Sequence, residues 1–291
     1  MASFIFGAGM GFVDGSLNAL VIDVSEHSAA SSLNYLHVFF GVGAFAGPLL
    51  VGVVLDAGLH WRWIAASTAG LSLTMLMPYF LVRFPPAAPA IALRTKQLLS
   101  SLFKPQPLLM LMVILFFVGM EATYSGWLPS YIALEFQASR GLAAYSLAFL
   151  YAGIVVGRAV SGLLVRNINH HLLIAATMGT STLTGLIIAF TSTLPVALIG
   201  IALTGILIGG AFPTALAIGV RGQPAMVGAL TGFILAGAGI AGAVFPPLTG
   251  LLIEYAGFKY AMLFPALLAI PATIAALTGY FMRDTNNSEV T

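Results

Sequence analysis

The chain has 291 residues, of which 59% are apolar and only 7% charged. A soluble domain carries roughly 25% charged residues to keep its surface solvated; the 11 basic and 9 acidic residues here cannot cover a 30.3 kDa globule, so much of the surface must face hydrocarbon. A net charge of +2 excludes the strong basic field of a nucleic-acid binder, and the absence of cysteine excludes disulfides, thiolate chemistry and cysteine-based metal sites.

Apolar runs long enough to cross a bilayer recur along the whole chain, and the ten-residue alternating strands of a membrane barrel are absent. The fold class read from this pattern is an all-α integral membrane protein of about nine transmembrane helices. The first predicted span, 2–24, begins almost at Met1 with no basic stretch before it, so no cleavable signal is expected. Its Gly7, Gly11 and Gly15 recur at four-residue spacing and predict a smooth face for close helix packing. Asp14 lies about halfway along it, and Asn18 follows one turn later on the same face. After Ser25-Glu26-His27-Ser28 comes the second span, 33–55, with Asn34, His37 and Pro48. The third covers 62–82.

The long connection that follows carries Pro85, Pro86, Pro89, Arg94, Lys96, Lys104 and Pro105, and reads as a linker between units. The domain boundaries expected are therefore a three-span partial bundle over 1–83, a cytoplasmic linker over 84–105, a six-helix bundle over 106–283 and a cytoplasmic tail over 284–291. The fourth span, 106–131, holds Glu121 with Tyr124, Ser125, Trp127 and Tyr131 beyond it. The fifth, 141–165, carries Arg158, and the stretch from Arg166 to the adjacent His170 and His171 reads as a loop. Spans six to nine fall near 171–192, 195–218, 227–252 and 259–282. Pro213, Pro246 and Pro247 are expected to break their helices, because proline removes a backbone donor, and Gly237, Gly239 and Gly242 form a second small-residue face.

Alternating the loops across the bilayer puts Arg83, Arg94, Lys96, Lys104, Arg166, Arg221 and Arg283 on one side and Arg62, Arg140 and Lys259 on the other. The richer side is expected to be cytoplasmic, with the C-terminus inside; a bacterial inner (plasma) membrane is the expected location. An odd number of spans leaves the N-terminus outside, which is awkward for a complete protein.

An internal repeat bears on the same point. At an offset of 198 residues, Gly7 matches Gly205, Gly11 matches Gly209, Gly41 matches Gly239, Pro48 matches Pro246, Gly52 matches Gly250, and Asp56 is answered by Glu254. Spans one and two thus correspond to spans seven and eight. With a six-span unit, spans four to nine form one whole unit and spans one to three the last half of another, so three spans are expected to be missing at the front.

Two six-helix units joined by a long basic loop resemble the major facilitator superfamily, whose parallel halves enclose a midplane site. Gly157-Arg158-Ala159-Val160-Ser161-Gly162-Leu163-Leu164-Val165-Arg166 looks like the second-half version of the superfamily's cytoplasmic-loop signature, without its usual acidic residue. The stretch Gly7 to Asp14, followed by Asn18, is similar to the fourth span of the fucose:proton symporter branch. Leu33-Asn34-Tyr35-Leu36-His37 through Gly47-Pro48 is similar to that branch's fifth span. Gly119-Met120-Glu121 with Trp127 and Tyr131 resembles the seventh span of sugar-carrier relatives. The resemblance implies a sugar:cation symporter, with Asp14 and Asn18 lining the sugar cavity and Gly157, Arg158, Gly162 and Arg166 at the cytoplasmic gate.

The residues themselves support a wet cleft. A charged side chain at mid-bilayer costs at least ~2.5–3.5 kcal/mol, so it faces a cavity or a partner. The repeat partner of Asp14 is Phe212, so the acid is not required by the repeat. Asp14 and Asn18 together can bond vicinal hydroxyls, and the carboxylate can exchange a proton in step with binding. The plainer reading is an Asp capped by its own neighbours. Glu121, Tyr124 and Ser125 form a polar stripe beneath Trp127, suited to a sugar whose C–H face stacks on the indole; Trp127 and Tyr131 read equally as interfacial belt residues. Asn34 and His37 stand one turn apart and suit substrate or proton binding, against a histidine bonded within a helix interface. Arg158 and Arg166 suit an inner gate held on helix-end carbonyls or on an acid across the bundle, rather than substrate binding.

The function expected is secondary active transport of a small polar solute, a sugar first, coupled to a proton or sodium gradient, with the lipid bilayer as surroundings. No enzyme activity, cofactor, metal, nucleic acid or obligate protein partner is expected. The competing readings are an efflux carrier for amphipathic compounds and a truncated membrane protein that moves nothing.

Overall fold

The structure, a computed structural model, describes residues 2–25, 28–57, 59–60, 62–82 and 95–288. Half of the expected linker (84–94), Arg83, Glu26, His27, Gly58, Trp61 and the end of the expected tail (289–291) lie outside the described residues. Among the described residues the regular elements are all helical: α1 (Ala2–Val24), α2 (Ala29–Asp56), α3 (Arg62–Tyr79), α4 (Thr95–Leu102), α5 (Pro105–Glu135), α6 (Arg140–Leu164), α7 (His170–Phe190), α8 (Leu194–Ile208), α9 (Ala211–Val220), a 3₁₀ turn (Pro224–Met226), α10 (Val227–Ala261) and α11 (Leu263–Ser288).

Each of the nine expected spans coincides with a helix or a helix pair. Seven stretches of described residues are long and apolar enough to cross a membrane, in α2, α5, α6, α7, α8–α9, the 3₁₀ turn with α10, and α11. The two others are α1 and α3. α1 carries Asp14, Asn18 and Asp23, while α3 is interrupted by Ser67, Thr68, Ser72 and Thr74, whose hydroxyls return to backbone carbonyls of their own helix.

Local chemistry sets several helix ends. Pro105 opens α5, where a missing amide costs nothing. Ser139 caps α6 by accepting from the Leu142 amide. Asn169 caps α7 by accepting from the His171 and Leu172 amides. The adjacent histidines expected in a loop therefore form the first turn of α7: His170 Nε2 bonds the Val165 carbonyl and His171 is buried against Gly279. The end of the expected linker is also ordered as a helix, α4.

The proline expectations divide. The seventh expected span does break, into α8 and α9, at Gly209–Gly210, one turn ahead of Pro213, whose missing amide leaves the Gly209 carbonyl without its helical donor. At Pro246–Pro247 α10 continues unbroken, and the Trp127 indole donates to the Pro246 carbonyl at 2.9 Å. α10 turns instead at Gly257, whose φ of 79° favours glycine.

The core is built around α5, which packs on α6, α9, α10 and α11 and buries Phe117, Tyr124, Leu128 and Tyr131. Tyr131 closes one end by donating to the Ile188 carbonyl at 2.6 Å. α6 and α8 approach backbone to backbone: a Cβ on Gly153 or Gly157 would meet Ala202 O or Ile206 O, and one on Gly205 would meet Leu150 O. This is the small-residue contact of membrane helices. It lies elsewhere than the spacing of Gly7, Gly11 and Gly15 predicts: among the described residues nothing lies within 4 Å of a Cβ at Gly7 or Gly11, nor at Gly239 or Gly242. Four-residue glycine spacing marks a flat face but does not say what lies on it. Across the body, α2 packs on α6 and α9, α1 on α10 and α2, and α3 on α2.

Trp127 also rests on Gly250, and its ring faces Phe258. Trp127→Phe keeps an aromatic ring but loses the bond to Pro246, and is expected to cost about 1 kcal/mol of stability, read as a lower melting temperature in detergent with uptake retained.

Candidate functional site

α1, α2, α5, α6, α9 and α10 meet around a cavity of about 580 Å³. Asp14 of α1, His37 of α2, Glu121 of α5 and Arg158 of α6 reach its wall, and the remaining lining is apolar, with Phe39, Phe40 and Phe212 the largest groups. The structure therefore brings together two carboxylates that are 107 positions apart in the chain.

Behind this wall the polar groups are chained. Asn18 Nδ2 donates to the Asp14 carbonyl at 2.9 Å and to Asp14 Oδ1 at 2.8 Å. With its amide nitrogen engaged, Asn18 turns Oδ1 to His37 Nε2 at 2.9 Å, so the histidine carries its proton on Nε2 and donates. Asn18 is fully buried and His37 is 7% exposed, so these partners are what satisfies them. Arg158, 2% exposed, donates from Nη1 to the His37 carbonyl at 2.7 Å and from Nε to the Gly209 carbonyl at 3.3 Å. Pro213, four residues on, has no amide to bond that carbonyl, which leaves it for Arg158. The guanidinium carbon lies 5.4 Å from the centre of the Phe40 ring, a cation–π contact.

On α5, Ser125 donates to the Glu121 carbonyl and bonds the Tyr151 hydroxyl at 2.9 Å. Among the described residues no hydrogen bond reaches the Glu121 carboxylate, which is left for the cavity. Arg158 interacts through space with Glu121, Tyr151 and Asp14.

Towards the end of the molecule that carries Lys104, Arg166 and Arg221, the first helices are bonded to the later ones. Ser31 donates to the Gly162 carbonyl at 2.8 Å and Asn34 to Thr214 Oγ1 at 3.0 Å. Together with Arg158 on the His37 carbonyl, these form a seal of α2 against α6 and α9. Beyond it lies a second recess of about 1000 Å³, lined by Ser25, Ser28, Ser32, Tyr35, Arg166 and His170 among others.

The expected site residues thus fall into three places. Asp14, His37, Glu121 and Arg158 line the cavity, with Asn18 bonded behind it. Asn34, Gly157, Gly162 and Arg166 sit at or beyond the seal: Gly162 against Asn34 and Tyr35, Gly157 on α8, Arg166 in the second recess. Tyr124 and Trp127 stand apart from the lining, because their side of α5 is turned into the core: Tyr124 is fully buried near Gly185, and Trp127 is bonded to α10. Sequence reasoning missed Phe40, Tyr151, Phe212 and Thr214. The repeat carried a signal for some of them. Asp14 and Phe212, His37 and Leu235, and Phe40 and Ala238 are pairs at the repeat offset, and all six line the cavity.

Known proteins agree with this architecture. The sequence profile of the Major Facilitator Superfamily matches residues 1–234. The fold is similar to that of the transporter FucP in the outward conformation, with a TM-score of 0.74 and 23% identity over 94% of this chain and 74% of that one. It is similar to a variant of the E. coli Fucose:proton symporter, FucP, with a TM-score of 0.70 and 23% identity over 94% and 75% of the two chains. It is also similar to the human organic anion transporter MFSD10 (TETRAN), with a TM-score of 0.68 and 18% identity over 89% and 66%. At these identities the likeness shows the fold, and no curated protein matches in sequence. With the superfamily matched over most of the sequence and its fold present in incomplete form, the chain belongs to the Major Facilitator Superfamily and is a multi-pass membrane transporter.

Proposed function

We propose that the protein is a secondary active carrier of a small polar solute, a sugar first among the candidates, driven by a proton or sodium gradient across a bacterial inner membrane with the C-terminus inside. The observation that carries this reading is the convergence of Asp14 and Glu121, from separate parts of the chain, on one cavity of about 580 Å³. That volume lies within the usual range for small-molecule sites. Asp14, His37 and Glu121 offer hydrogen-bonding groups to hydroxyls, and the phenyl groups of Phe39, Phe40 and Phe212 offer flat surface for C–H faces. The seal at Ser31–Gly162 and Asn34–Thr214, with recesses on either side, suits alternating access, and Gly157, Arg158, Gly162 and Arg166 are the gate residues. The likeness to a fucose:proton symporter supports the solute class and the proton.

A second reading, export of amphipathic compounds, draws support from the predominantly apolar lining around Arg158 and from the likeness to an organic anion transporter. Uptake of labelled monosaccharides into proteoliposomes, with proton or sodium gradients imposed separately, tests both. Accumulation that collapses with one gradient is the expected result. Expulsion of an amphipathic anionic dye without sugar uptake moves the assignment to export, and no movement of either moves it to a non-transporting protein.

A further inference from the structure

The short helix α4 lies at the level where the membrane spans end. It leads directly into α5: Lys104 is extended, with ψ 149°, because a following proline keeps a residue out of helical geometry, and Pro105 then opens the span. Leu102 packs into a small cluster with Val220, Met226 and Leu230, where α9 ends and α10 begins, and with Ile22 near the end of α1. Ser101 is buried as well. This contact turns another side of the helix outward. Leu99 is 48% exposed and Phe103, four residues on, is 62% exposed, with its ring edge-on to Phe233 of α10. Lys96 extends the same face by one turn. The charges around this face have one sign. Lys96, Lys104 and Arg221 are all exposed. Lys104 Nζ donates to Gln223 Oε1 at 3.4 Å, which brings it to the turn that Gly222 makes beside Arg221 with φ 76°. Asp23 follows Ile22 on the adjoining α1, yet among the described residues neither Lys96 nor Arg221 has a side-chain hydrogen bond or ion pair.

We infer that α4 is an interfacial helix that binds anionic phospholipid head groups in the leaflet at its end of the molecule. Leu99 and Phe103 enter the boundary between head groups and acyl chains, while Lys96, Lys104 and Arg221 hold lipid phosphates. Two observations point to this occupant. The outward face is continuous with the hydrocarbon-facing surface, since only Phe103 and Lys104 separate α4 from a membrane span. The cations are also complementary to phosphodiesters: two amines and a guanidinium without protein counter-charges gain charge-assisted hydrogen bonds at a head-group surface. Long Lys and Arg stems lie along apolar surface while their heads stay in the polar layer. Neither part suffices alone. Two apolar side chains on a helix of eight residues bury little surface, and three cations alone stay solvated; together they form the two-part arrangement that holds peripheral helices on bilayers. Because α4 is tethered to α5, the apolar contact needs little affinity of its own, and the cations decide which lipid is bound. The chain just ahead of α5 is thereby held at the leaflet surface, whatever solute the cavity takes.

The chain has no cysteine, so a single reporter can be placed cleanly. Leu99→Cys carries a bimane fluorophore in nanodiscs of mixed phosphatidylcholine and phosphatidylglycerol. Quenching is measured with a doxyl group placed near the head group of one lipid or of the other, at equal mole fraction. The expected result is quenching by both, with phosphatidylglycerol favoured about threefold or more at low salt. The preference should fall towards one in about 1 M salt, which screens the phosphates. Lys96→Gln, Lys104→Gln and Arg221→Gln together should remove it while quenching by phosphatidylcholine stays. Where that protein fails to insert, Arg221→Gln alone should lower the preference. Leu183→Cys, exposed on α7, is the reference and should show none. A label quenched by neither lipid lies against water or another protein, which overturns the inference. Equal quenching by both lipids at low salt does the same. So does a preference that inorganic phosphate removes at constant ionic strength, because the cations then serve a free anion. The measurement needs no transport, so its failure and that of the carrier reading are told apart.

Discussion

Asp14→Asn and Glu121→Gln are each expected to lower gradient-driven uptake by about 10- to 150-fold, with the protein still inserted and folded. The range is that of one charge-assisted hydrogen bond, about 1.5–3 kcal/mol. Both side chains reach the cavity, and neither amide variant changes side-chain volume much, so the helices that carry them have no packing reason to move. The two variants should differ in kind. Asp14 holds Asn18, which holds His37, so Asp14→Asn disturbs a chain of partners and should also flatten the dependence of uptake on pH. Glu121 has no hydrogen bond to lose among the described residues, so Glu121→Gln should act mainly on apparent solute affinity. Initial rates against solute concentration, taken at several external pH values, separate the two. Unchanged uptake in the double variant would sink the assignment of both carboxylates.

Gly157→Leu is expected to prevent accumulation of folded protein. At Gly157 the first carbon of any side chain would already overlap the Ile206 backbone, and Gly153 and Gly205 are in the same position against Ala202 and Leu150. Backbone cannot move aside as a side-chain tip can, so α6 and α8 would have to separate. Overpacking costs about 1–3 kcal/mol where side chains can shift and more where backbone blocks the way, a large part of the stability of a typical domain. The contrast is Gly11→Leu, where the structure has open space within 4 Å of the new carbon. Quantifying the monodisperse fraction after detergent extraction compares the two, and equal yields would overturn the packing assignment.

The helical class, the span positions and the repeat were legible because each is a property of composition and period along one chain. Asp14 and Glu121 were legible for a different reason: an acid is so costly in hydrocarbon that its presence implies a wet neighbourhood, and both are found on the cavity. What could not be read was which face of a helix meets which neighbour. Tyr124, three residues after Glu121, is carried round α5 into the core, and Trp127 is drawn to a carbonyl of α10. The break at Gly209–Gly210 was legible from Pro213, which has no amide for the Gly209 carbonyl, whereas the close fit of both glycines against Ile154 and Ser161 was not, being tertiary. Carbonyl partners for Arg158 were expected and are found, but which carbonyls they are could not be read, since every residue owns one.

The repeat brings three pairs of equivalent positions to the chamber, yet the groups at those places have diverged. A carboxylate at Asp14 answers a phenyl ring at Phe212, and the imidazole of His37 answers the isobutyl group of Leu235. On a true dyad a guest would have two poses of equal energy. Here a half-turn exchanges a hydrogen-bonding neighbour for hydrocarbon, and each polar group left unmet costs about 1–3 kcal/mol. One pose is therefore favoured, and that preference comes from the drift between the two repeats rather than from the architecture they share.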